Sequence, residues 1–140
     1  MDQNIDLGMA QRIIASAIQN ASTEYGRPIS VAVCGADSFL IAFAREPGVP
    51  VRTIAIAQRK AFTAVWMGMA TSAFHKRLRR EKLRTSDFCN EGLISLPGGA
   101  PIFDQAGQLL GAIGVSGLTP DEDQAIASAI AIRWNALRAP

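Results

Sequence analysis

Apolar residues recur at three- and four-residue intervals from Leu7 through Ala10, Ile13, Ile14, Ala17, Ile18 and Ala21 to Tyr25. That spacing lays one apolar stripe along an amphipathic helix, with Asp6 placed to cap it and Gly26–Pro28 placed to stop it. The pattern then changes period. "ISVAVCG" and "FLIAFAR" are short runs rich in β-branched and aromatic residues, split by "ADS", and they predict a β-hairpin. "EPGVP" breaks the chain again, and Thr53 stands where it would cap a second helix, "IAIAQRKAFTAVWMGM". Ile56, Lys60 and Thr63 fall on one side of that helix. Ala57, Ala61 and Ala64 form a neighbouring stripe of small residues able to press closely on a sheet.

A basic helical segment, "TSAFHKRLRREKLR", follows, and "TSDFCNEG" has little periodicity and reads as a loop. "GGAPIF", a turn "DQAGQ" and "LLGAIGVSG" predict two further strands. The last helix opens on "TPDE": Thr119 at the cap, Pro120 at the first helical position and Glu122 three residues past the cap form a capping box. Helix, two strands, helices, two strands, helix is the order of an α+β fold, an antiparallel sheet with helices packed on it. Its length of 140 residues suits a single domain spanning residues 1–140.

Residues 93–117 hold six glycines and two prolines in an otherwise apolar stretch. Strict alternation puts Leu110, Ala112, Gly114 and Ser116 on one face of the last strand, and Leu109, Gly111, Ile113, Val115 and Gly117 on the other. A strand face without side chains serves the close approach of a helix or of a ligand, and both readings stand. Gly98 and Gly99 precede their strand. They make either a plain turn or a small concavity of uncovered amides able to hold an anion.

Composition narrows the classes. About half the residues are apolar and about a fifth charged, as in a globular chain, and the net charge of +2 does not suggest nucleic acid. The basic run His75–Arg84 carries six cations and one acid. It lacks the aromatics of a nucleic-acid footprint and reads as a solvated or intersubunit face, or as a gate for an anionic ligand. No apolar run spans a bilayer and the amino terminus does not read as a leader, so no membrane partner and a cytoplasmic location are expected. Cys34 and Cys89 have neither disulfide-framework nor zinc spacing, so no metal is expected. Cys34 sits in an apolar run, and Cys89 has polar neighbours.

"SVAVCGADSFLIAFARE", "IAIAQRKAFTAVWMGM" and "LPGGAPIFDQAGQLLGAIGVSGLTPDEDQAIASA" together resemble the GlcG/HbpS family, also seen as the C-terminal domain of PduO-type proteins. The resemblance covers nearly the whole chain. It implies a profilin-like α+β domain, a homo-oligomer (octamers are frequent) and, in several members, haem. Haem-binding members use a histidine on or near the first helix as an axial ligand. Here that helix has none, although Tyr25 and Met9 are of types that ligate haem iron. His75 is the sole histidine and lies in the basic segment.

Two functions follow as expectations. The first is a non-catalytic binding protein for haem or another planar or anionic small molecule. The second is a cofactor-free isomerase or tautomerase, hydrolase or lyase acting on a small carboxylate-bearing substrate at the same pocket. Arg45, Lys60, the amides of Gly98 and Gly99, and Tyr25 are the candidate ligand contacts. A guanidinium fork suits a carboxylate, and glycine amides suit an anionic oxygen. His75 and Glu91 are the candidate acid/base groups. Lys60 lies among alanines on a helix that packs on the sheet, so its ammonium must snorkel, face a cavity, or pair with an acid such as Asp121, Glu122 or Asp123.

Overall fold

A computed structural model describes residues 4–137. Helix α1 (Leu7–Tyr25) leads into β1 (Ser30–Gly35) and β2 (Leu40–Arg45), then α2 (Thr53–Met67) and α3 (Thr71–Glu81). A 3₁₀ turn (Thr85–Phe88), β3 (Gly99–Phe103), β4 (Leu109–Ser116) and α4 (Pro120–Leu137) complete it. The strands form one antiparallel sheet in the order β2-β1-β4-β3. The α+β class expected from the element order is the architecture observed.

Local chemistry sets the helix ends. The Asp6 carboxylate accepts the Met9 N–H at 2.8 Å, and Gly26, at φ 63°, closes α1 in the left-handed region. The capping box at α4 is present, with Thr119 and Glu122 exchanging bonds of 3.1 and 3.2 Å. Three expectations need correction. Thr53 is the first residue of α2 and not its cap, because its hydroxyl turns back to donate to the Pro50 carbonyl at 2.6 Å. The basic helix stops at Glu81, where Lys82 takes φ 55° and Leu83 N–H returns to the Leu78 carbonyl. The loop after it contains the 3₁₀ turn, held where the Asp87 carboxylate accepts the Arg84 N–H at 2.9 Å.

The sheet is covered on both faces. Ile13, Ile14 and Ala17 of α1 and Ile126, Ile130 and Trp134 of α4 pack on Val31, Val33, Ile113 and Val115. On the other face, Ala57, Ala61, Ala64 and Val65 of α2 pack on Ala32, Cys34 and Ala112. Alternation along β4 fails at one point. The register slips between Ile102 and Phe103, so Leu110 sits in a bulge. Leu110 therefore joins the α1/α4 core and Leu109 turns toward α2, the reverse of the expected faces.

Candidate functional site

The glycine ribbon lies beneath α2. A Cβ on Gly114 would collide with the backbone of Ala57 and Ala61, and one on Gly99 would collide with the Lys60 carbonyl. Of the two readings of the bare strand face, close helix packing is the one the geometry realises. Gly98, at φ 137°, makes room for the Lys60 side chain, since a Cβ there would stand 2.6 Å from Nζ.

The amides of Gly98 and Gly99 are not open to an anion. Gly98 N–H donates to Gln124 Oε1 at 2.7 Å, and Gly99 N–H donates to Thr71 Oγ1 at 2.8 Å. Gln124 also accepts from the Thr71 hydroxyl and the Ser72 N–H, and it donates to the Gly99 carbonyl at 3.0 Å and to Ser128 Oγ. One buried glutamine thus ties α4 to β3 and α3. The expected anion cradle is replaced by this knot.

Lys60 is 1 % exposed, and its ammonium donates to Asp123 Oδ2 at 3.0 Å and to the Val115 carbonyl at 2.9 Å. Asp123 is the acid among the three at the start of α4 that meets it, and its other oxygen accepts the Leu118 N–H at 3.1 Å. Burial pushes the Lys60 amine below the usual lysine range and the Asp123 carboxyl above the usual carboxylate range, each partly offset by the partner's charge. The pair opens on a cavity of about 150 Å³ that Arg52, Thr53, Ser116 and Pro120 also line.

The remaining expected residues do not gather there. Arg45 ends β2, whereas Gly99 opens β3 with Gly98 just before it, and these two strands are opposite edges of the sheet, separated by three strand spacings of roughly 5 Å each. The exposed Arg45 donates to the Val49 carbonyl at 3.0 Å. His75 is half-buried on α3 beside Arg79 and Arg84. Glu91 is exposed in the loop before β3. Tyr25 is half-buried against the α1/α4 core, as is Met9. Among the described residues, no group of three or more His, Cys, Asp or Glu side chains is arranged to hold a metal ion.

A second hollow, of about 200 Å³, escaped the sequence reading. It lies between α2 and the β1–β2 turn, lined by Cys34, Leu40, Ala61 and Phe62, with Arg59 at its rim. Phe62 stacks on Trp66, ring centroids 5.5 Å apart and planes 17° from parallel, so the apolar wall continues along α2. Gly92 leaves space for the Phe62 ring, which a Cβ would meet at 2.8 Å. Phe39 and Trp66 are 75 % and 53 % exposed, a large aromatic surface for water to cover. Arg59 donates to the Glu91 carbonyl at 3.3 Å. Burial pushes the Cys34 thiol up to about 12, so it stays protonated at neutral pH. The available signal was Phe62 and Trp66 four residues apart, one helical turn, on a helix whose other side is alanine-rich.

Residues 5–131 match the family described as haem-degrading protein, HbpS-like. A double mutant of HbpS from Streptomyces reticuli is 30 % identical, with 95 % of this chain and 88 % of that one aligned at a TM-score of 0.83. The ORFY protein of Klebsiella pneumoniae is 25 % identical over 97 % of this chain and 93 % of its own, with a TM-score of 0.84. A PduOC–haem complex is 20 % identical over 93 % and 94 %, with a TM-score of 0.80. No curated protein matches the sequence.

Proposed function

The chain belongs to the HbpS-like family, and on that premise we propose that it binds a planar, carboxylate-bearing small molecule of the haem class. The observation that carries this reading is the apolar groove walled by Phe62, with the exposed Trp66 stacked on that ring and Arg59 at its rim. A flat apolar ligand gains by covering exposed rings, and a guanidinium at the edge suits its carboxylate. The haem held by the PduO domain, which shares this fold, supports the same ligand class.

The apolar lining suits the face of a flat ring and offers no ligand for an iron. Its only soft side chain is Cys34, a protonated thiol 2 % exposed. Tyr25 and Met9 pack against the core on the far side of the sheet, and His75 is on α3. Haem would therefore be held here by ring stacking and by its propionates, with no axial ligand from the groove.

Titration with hemin and with metal-free protoporphyrin IX tests this. We expect the two dissociation constants to agree within about tenfold, a difference of about 1.4 kcal/mol. We expect Arg59→Ala and Trp66→Ala each to weaken both. Tight binding of hemin alone, abolished by His75→Ala, would overturn the reading and place the iron on α3.

A further inference from the structure

The other flank of α2 carries a separate hollow, the cavity lined by Lys60, Asp123, Ser116 and Arg52. We propose that it receives a small 2-oxo acid, which Lys60 captures as an imine while Arg52 holds the carboxylate. The Lys60 ammonium has two acceptors, Asp123 Oδ2 and the Val115 carbonyl, which leaves its third N–H uncommitted. The Ser116 hydroxyl borders the cavity and has no hydrogen-bond partner among the described residues. Arg52 likewise forms no ion pair or side-chain hydrogen bond among them. Three groups able to bind a polar guest therefore border one space sized for a few heavy atoms.

Stability does not account for the Lys60–Asp123 pair. Taking two charges out of water costs about what their attraction returns, and apolar replacements of such pairs are often neutral or better. Burial moves the proton from amine toward carboxylate, because it lowers Lys60 and raises Asp123. An amine that burial makes easier to deprotonate, beside a carboxyl that burial makes readier to hold the proton, is equipped for addition to a carbonyl group. The nitrogen lone pair bonds to the carbonyl carbon, and the oxygen takes up a proton that the nitrogen gives to Asp123 for relay. A second proton passes the same way, that oxygen leaves as water, and a C=N bond remains. The sum is amine plus carbonyl to imine plus water, with no redox partner. The N-terminal end of α4 at Pro120 borders the same space and favours a carboxylate there.

Lys60, Lys76 and Lys82 are the only lysines in the chain, which makes the test clean. Native protein is incubated at neutral pH with pyruvate and sodium cyanoborohydride, and the reduced adducts are mapped by peptide mass spectrometry. We expect Lys60 to be modified at least about tenfold faster than Lys76 and Lys82, both on exposed surface, because the cavity with Arg52 on its wall holds the keto acid against its amine. Arg52→Ala should slow trapping of pyruvate at Lys60 and leave trapping of propanal, which has no carboxylate, unchanged. The double variant Lys60→Met/Asp123→Leu, which leaves no orphaned charge, should fold and lose the fast adduct. Lys60 reacting no faster than the surface lysines would overturn the proposal and leave a purely structural ion pair. Equal losses of pyruvate and propanal trapping in Arg52→Ala would overturn the assignment of the carboxylate to Arg52. Neither outcome bears on the aromatic groove, which shares no lining residue with this cavity.

Discussion

Lys60 is the residue whose sequence context said most. An ammonium among alanines on a packed helix had few outlets, and the structure realises two of them, an acid partner and a cavity. Asp123 was legible only as one of three acids at a helix start, because the choice among them depends on helical phase against β4. Gln124 and Thr71 were not legible at all. They are neutral polar side chains whose partners, Gly98 and Gly99, come from distant parts of the chain. At this scale we predict that Lys60→Met alone costs about 3–5 kcal/mol in urea unfolding, because it strands a buried carboxylate. The double variant Lys60→Met/Asp123→Leu should recover most of that loss. Equal destabilisation in both would mean that the pair itself, and not the orphaned charge, sets the stability.

Strands and helices were readable where one period dominates. The stripe on α1, the capping box on α4 and the hairpin runs all stand near their expected bounds. The last strand was harder, because alternation cannot foresee a bulge, and the slip at Leu110 exchanges the faces of two leucines. Its glycines were correctly tied to close approach, while the sequence left open what approaches. The answer is α2, whose alanines bring its backbone against Gly114. Gly114→Ala should therefore lower stability by about 3 kcal/mol in thermal or denaturant unfolding, as overpacking does. A change below about 0.5 kcal/mol, the usual scale of an indifferent surface substitution, would contradict this packing account.

Across the whole molecule, element order gave the fold class, whereas strand order decided the site. Strand order puts Arg45 and the glycines at opposite edges of the sheet, Arg45 does not line the cavity that Lys60 opens on, and His75 and Glu91 stand apart on α3 and its following loop. Chain proximity carries no information about that arrangement. No helix among the described residues is long and apolar enough to cross a membrane. The exposed Trp66 stacks on Phe62 at the wall of the groove, where the proposed ligand would cover it. The most direct test watches the two indole N–H resonances, from Trp66 and Trp134, during titration with metal-free protoporphyrin IX. The account predicts a saturable ring-current shift of the Trp66 signal while that of the buried Trp134 stays in place. Saturable binding that leaves the Trp66 resonance unmoved would contradict it.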